Sequence, residues 1–246
     1  MLVISVLAWL IARGTWLLNY NWQWYQIPRY IFSFENGRFI SGPLLDGLLV
    51  TLQISGLSLI FSFILGLVTA LLRLSDSFAA KGLSRLYLEI IRNTPLIVQL
   101  FFIYFVVSPL LDISRFTSAV LALTLFEGAY ASEIFRSGIV SIHKGQWEAS
   151  RSLGLNRFQT YRYIILPQAV QRVLPPLSSQ AISLVKDSAL VSTIAIYDLT
   201  MQGRVIISRT YLVFEIWFTV AAIYLVILAS MSFAVNILEN HLKLKV

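Results

Sequence analysis

The chain has 246 residues, 57% of them hydrophobic and only 13% charged, about half the charged share of a soluble domain at roughly 25%, and its mean hydropathy is +0.76. So few charges cannot cover a water-exposed surface, which makes this an all-α integral membrane protein with room for five or six crossings at about 20 apolar residues each and none for a large soluble catalytic domain. No cysteine is present, which excludes disulfides, thiolate metal sites and thiol redox chemistry, and His143 and His241 lie too far apart in sequence for a histidine metal cluster.

Taken in chain order, Leu2 to Ala12 is apolar, Arg13 and Gly14 interrupt it, and Trp16 to Leu18 resume. Without a basic n-region or a small-residue cleavage site this reads as a short extra helix, not a signal peptide. Trp22, Trp24 and Tyr25 form an interfacial aromatic belt before the next crossing. Gly47 to Leu72 is uncharged and long enough to span the bilayer; Asn93 to Leu111, bounded by Arg92 and Asp112, forms a second ordinary span. The third, Phe116 to Phe135, contains Glu127 and Glu133, and the fourth, Val173 to Tyr197, contains Lys186 and Asp187. Ile216 to Leu238 is the uncharged fifth. Residues 1–44 are thus an N-terminal segment, 45–238 the membrane domain and 239–246 a tail.

Cytoplasmic loops hold the excess of Lys and Arg. Of the 19 such residues, 12 fall in Arg73 to Arg92, Arg136 to Arg172 and the tail after Leu242, which five core helices place on one side. That side is cytoplasmic, and Arg29, Arg38, Arg115, Arg204 and Arg209 lie opposite. The net charge of +7 is therefore a topological signal and needs no nucleic acid.

The longest basic loop, His143 to Pro167, holds good helix formers over Gln146 to Leu153, with Gly154 placed for a left-handed cap. Asn156 starts a second short helix, which Pro167 is expected to stop. The two make a cytoplasmic knob in which small Ala149 and Ser150 allow close approach and Trp147, Leu153, Leu155 and Phe158 supply apolar anchors. A plain surface hairpin fits the pattern equally well.

The spelling Glu148, Ala149, Ser150, three residues, Gly154, nine residues, Ile164, one residue, Leu166-Pro167 resembles the cytoplasmic loop of the permease subunits of ATP-binding-cassette importers, with Ser150 where the pattern has alanine. Arg92-Asn93-Thr94-Pro95-Leu96, the stretch Glu127 to Ile134, and Leu184-Val185-Lys186-Asp187-Ser188-Ala189-Leu190 are similar to the polar-amino-acid branch, which serves histidine, glutamate, glutamine, arginine and opines. The likeness covers about Leu45 to Leu238. It implies a type I importer permease fold with five core helices and a location in the bacterial inner membrane. It also implies an ATPase subunit, a second permease subunit, identical or related, and a periplasmic amino-acid-binding protein. Trp147, Glu148, Ala149, Ser150, Leu153 and Gly154 would dock on the ATPase as a coupling helix. No glycine is followed by lysine, so the core of a phosphate-binding loop is missing; this chain binds no cofactor, and ATP and Mg belong to the partner ATPase.

An ionised side chain at a helix centre costs roughly 2.5–3.5 kcal/mol facing lipid, so Glu127, Lys186 and Asp187 must face protein or water. Either they form a substrate site or Glu127 and Lys186 form an ion pair fixing helix three on helix four. A fourth helix starting at Pro175-Pro176 would set Lys186 roughly 15 Å into the membrane, near its middle. Ser179, Ser183 and Lys186 then form a stripe flanked by Gln180 and Asp187. Glu127, Tyr130 and Ala131 share a face of helix three, and Gly128, Ala129, Ala131 and Ser132 permit close packing. For an amino acid, Asp187 or Glu127 would meet the ammonium and Lys186 the carboxylate, with Ser183 and Gln180 adding hydrogen bonds. Arg92, Asn93 and Thr94, at the cytoplasmic mouth of helix two, are candidate exit-gate residues, or Arg92 simply snorkels. The rival readings are a secondary carrier or channel, a scaffold whose sister subunit holds the substrate, and a membrane-embedded enzyme using Glu127, Asp187 and Lys186.

Overall fold

The computed structural model describes residues 5–6, 9, 13–14, 20–35 and 37–243. Most of the expected N-terminal helix, and residues 244–246 of the expected tail, lie outside them.

After a 3-10 turn at Trp24–Gln26 and the one-turn helix α1 (Pro28–Ile31), the chain makes an unforeseen hairpin, β1 (Phe32–Glu35) against β2 (Arg38–Ser41). Phe34 pairs with Phe39, and Gly37 turns the chain at φ +74°. Helices α2 (Pro43–Leu74), α6 (Arg115–Val140) and α11 (Val213–Lys243) follow as continuous rods, each long and apolar enough to cross a membrane. Pro43 sits in the first turn of α2, where its missing N–H costs nothing, and Ser114 caps α6 by accepting from the Thr117 amide.

The other two crossings are broken. The segment read as the loop Arg73 to Arg92 is mostly a helix, α3 (Phe78–Arg92), with Ser84, Leu88 and Ile91 buried on one face and Ser77 as its cap. The expected span Asn93 to Leu111 is three pieces: α4 (Leu96–Phe102), a π-helical turn (Ile103–Val107) and α5 (Ser108–Leu111). Pro95 restricts Thr94 before it to extended backbone, so the helix breaks there, and α3 meets the following span at 105°. This crossing is therefore not the ordinary helix its composition suggests, whereas α6, with two glutamates, is one.

The fourth crossing starts earlier than expected. From α8 (Arg157–Gln159) the helix widens into a π turn (Thr160–Ile165) and runs on as α9 (Leu166–Asp187). Pro167 does not stop it, because the wider turn directly before it shifts the hydrogen-bond register around the missing donor; Pro175 and Pro176 lie inside the helix rather than at its start. Lys186 is consequently about 30 Å along the helix from Leu166, not 15 Å. A 3-10 segment (Ser188–Ile194) and left-handed Ala195 end this crossing, and α10 (Leu199–Thr210), capped by Asp198, continues at 47° to it.

The packing is inverted relative to a soluble protein. On α2 the small polar residues Thr51, Ser55, Ser58, Ser62 and Thr69 are buried, while Leu49, Leu57, Ile60, Phe61 and Ile64 are exposed. Lipid is as apolar as leucine, so helices associate through close backbone approach and internal hydrogen bonds. At Gly66, α2 and α6 approach closely: a Cβ there would lie 2.8 Å from the Ala131 Cβ and 3.0 Å from the Ser132 amide nitrogen.

Replacing Gly66 with valine therefore forces α2 and α6 apart and should lower stability by roughly 1–3 kcal/mol. A drop in thermal unfolding temperature of the detergent-solubilised protein tests this, with Gly56→Val, whose Cβ has nothing within 4 Å, expected to unfold close to wild type.

Candidate functional site

Glu127 occupies the middle of α6, about 18 Å from the Arg115 end, and is fully buried. Its Oε2 accepts from the Gln180 amide on α9, and its Oε1 has no hydrogen-bond partner among the described residues. Asp187, two turns beyond Gln180 on the same helix, is close enough to interact with the Glu127 carboxyl. Ser183 is half-buried between them in sequence. Lys186 is exposed and pairs with no carboxylate among the described residues. The ion pair weighed for α6 and α9 is thus not formed; the amide of Gln180 takes its place. A buried carboxylate with one oxygen unpartnered carries a desolvation cost that an added donor relieves.

Tyr130, expected on the Glu127 face, instead turns toward the cytoplasmic end. Its ring lies against Phe126 at 5.1 Å and under the Arg92 guanidinium at 5.8 Å. Arg92 also reaches Glu133 at 3.2 Å, where Arg73 at 2.5 Å and Arg136 at 3.1 Å converge. One carboxylate thus ties the ends of α2 and α3 to α6. Asn93 donates to the Glu89 carboxylate and carbonyl, Thr94 to the Ile90 carbonyl, and Gln99 to the Thr94 hydroxyl, so the candidate gate corner is held rigid by its own side chains. The Glu133 hub went unrecognised in the sequence; its one local trace is Glu133 and Arg136 at i,i+3, and the other partners are distant.

The cytoplasmic knob is α7 (Lys144–Ser152) followed by α8. Gly154 is left-handed at φ +73°, and Asn156 and Gln159 complete a reciprocal capping box. The knob has two faces. Trp147 turns inward, edge-on to Tyr161 at 5.1 Å, and buried Ser150 is bonded to Thr160 at 3.2 Å. Glu148, Ala149 and Gly154 face out, with Leu153 and Phe158 each 76% exposed. In sequence Trp147, Glu148, Ala149, Ser150, Leu153 and Gly154 read as one contact set; in the structure Trp147 and Ser150 seat the knob on the π turn, and the other four are exposed.

A buried carboxylate at the opposite end also escaped notice. Glu215, at the start of α11, accepts from the Tyr20 hydroxyl and from the Gln23 amide at 2.8 Å, while Trp22 stacks on Trp24 and packs against Phe214. Trp22 and Trp24 are thus packed on one another and on α11, although Trp24 remains 46% exposed and Tyr25 is 78% exposed.

Residues 62–244 match the family described as the binding-protein-dependent transport system inner membrane component. Among curated relatives, the glutamine transport system permease protein GlnP of Escherichia coli (strain K12) is 41% identical over 204 residues, covering 82% of this chain and 93% of GlnP. The L-cystine transport system permease protein TcyB of Bacillus subtilis (strain 168) is 39% identical over 203 residues, covering 81% and 87%. Among solved structures, an amino acid ABC transporter crystallised with histidines matches with a TM-score of 0.76 at 38% identity, over 81% of this chain and 94% of that one. The chain belongs to the binding-protein-dependent transport family: it is a multi-pass membrane protein with the type I importer permease fold.

The Glu127–Gln180 contact is testable without transport. In a double-mutant cycle, Glu127→Leu and Gln180→Leu should be coupled by about 0.5–3 kcal/mol, read from unfolding temperatures; additive losses would show that the bond does not hold α6 on α9.

Proposed function

We propose that this permease imports polar amino acids across the bacterial inner membrane. The observation that carries the reading is Glu127: a fully buried carboxylate in mid-membrane, held by Gln180, flanked by Asp187 and short of one donor. An amino-acid ammonium supplies that donor, and two carboxylates offset the large cost of taking it out of water. Gln180 and Ser183 stand along the same helix to meet further polar atoms. Lys186, exposed and unpaired with acid, is the group offered to the substrate carboxylate from the outer end of the site. Relatives that carry glutamine and L-cystine by name support the substrate class.

Five crossings are too few to enclose a pathway, so two permeases, identical or related, form it. Two ATPase subunits bind ATP and Mg and dock from the cytoplasm on the outward face of the knob, Glu148, Ala149, Leu153, Gly154 and Phe158. A periplasmic binding protein delivers substrate outside. On release, the Arg92–Glu133 pair, braced by Asn93 and Thr94, closes or opens the cytoplasmic mouth, in the manner of alternating access about a midplane site. ATP hydrolysis takes place on the partner, and this chain is not an enzyme.

The test is to purify the chain with its ATPase and binding protein and to measure ATP hydrolysis and uptake across a panel of amino acids. A polar amino acid should stimulate hydrolysis, and silence across the whole panel rejects the substrate class. Glu127→Gln should reduce substrate uptake at least about tenfold, the worth of ~1.4 kcal/mol, with ATPase co-purification intact. Leu153→Asp with Phe158→Asp should do the reverse, losing the ATPase from the purified complex while the permease still folds.

A further inference from the structure

Helix α3 has a feature that transport does not use. It follows directly on the end of α2 and is bent by 105° from the following crossing, so with that crossing along the bilayer normal α3 lies close to the membrane plane. Besides its buried face it carries an exposed apolar stripe, Leu83 at 65%, Leu86 at 58% and Ile90 at 55%. An amphipathic helix of this kind rests at the boundary between headgroups and acyl chains.

Against α3 lie two cavities that share Arg73 and Arg85 as walls. One, of about 330 Å³, reaches Arg92, Tyr130 and Glu133; the other, of about 220 Å³, reaches Lys81 and Arg136. The charges around them do not balance. Glu133 is already shared by three guanidiniums, and the Glu89 carboxylate accepts from Asn93. Lys81 and Arg85 have no acid partner among the described residues.

We propose that these cavities hold the phosphate of an anionic phospholipid of the cytoplasmic leaflet, with Lys81 and Arg85 as the binding charges. The apolar stripe sets α3 at headgroup depth, and the surplus of guanidinium and ammonium groups selects a phosphodiester. Around the two cavities Arg73, Lys81, Arg85, Arg92 and Arg136 outnumber the carboxylates Glu89 and Glu133, a balance that favours a net-negative headgroup over a zwitterionic one. The site therefore takes phosphatidylglycerol in preference to phosphatidylethanolamine. The assignment uses the sidedness in the proposed function and nothing about its substrate, so a failure of amino-acid transport leaves it standing.

Native mass spectrometry of the full-length protein, released from micelles containing equal amounts of phosphatidylglycerol and phosphatidylethanolamine, tests it. The wild type should retain phosphatidylglycerol about tenfold more. Lys81→Ala with Arg85→Ala should bring the ratio near one with phosphatidylethanolamine retention unchanged, which shows that the variant is folded; Lys81→Arg with Arg85→Lys should keep the preference. Equal retention by the wild type, or an undiminished preference in the alanine variant, overturns the proposal. Displacement of the bound lipid by millimolar inorganic phosphate also overturns it, because the site would then take a soluble anion.

Discussion

Hydrocarbon offers a carboxylate no hydrogen-bond donor, and that constraint organises this fold. Glu127 stands where α6 is furthest from water at either end, so its partner has to come from a neighbouring helix. Gln180 supplies it, which fixes which face of α9 meets which face of α6. The other sides of α6 then have to accept close neighbours. A Cβ at Gly128 would meet Leu65 at 3.0 Å and the Tyr87 hydroxyl at 3.1 Å, and one at Gly138 would run into Val173. Small residues around one buried acid make α6 the axis of the subunit, with α2, α3 and α9 packed on it, and the bulky apolar residues are left for lipid.

Charge near the cytoplasmic boundary works differently. Glu133 is partly exposed and gathers three arginines where solvent is near; each exposed pair contributes little, but together they bring three helix ends to one point. Glu127 is the opposite case: one neutral amide, no cation, and an oxygen left without a partner. The first arrangement is complete in itself. The second leaves an acceptor unmet beside Asp187, and this asymmetry distinguishes the two carboxylates of the same helix.

Much of this was legible in the sequence. Uncharged runs located α2 and α11, and Gly154 and Asn156 stand at the two ends of the turn between the knob helices, as their spacing indicates. What was not legible has physical causes. Proline was read as a stop at Pro167 and as a start at Pro175-Pro176, yet the helix passes through all three, since a π turn and neighbouring helices accommodate the missing donors; a one-dimensional reading cannot see those neighbours. Basic residues in Arg73 to Arg92 suggested a loop because they set sidedness, but sidedness does not distinguish a loop from an interfacial helix. Glu215 passed as a loop residue beside an apolar run, although it is buried, because its partners Tyr20 and Gln23 reach it only in the fold.

The same continuity that defeated the reading of Pro167 bears on mechanism. In the proposed cycle the ATPase moves the knob, and a movement is useful only if it reaches Gln180 and Asp187. The inward face of α7 is fastened to the π turn by Trp147 on Tyr161 and by Ser150 with Thr160, and from that turn the helix runs unbroken past Gln180 to Asp187. Where the knob joins α6, Arg172 donates to the Ser141 carbonyl and hydroxyl, so the two helices that hold Glu127 and Gln180 are also tied at their cytoplasmic ends. A pull on the knob therefore acts on α9 as a rod. The break at Ala195 and the 47° bend beyond it come only after the site, so displacement is delivered to the polar residues before the chain can absorb it.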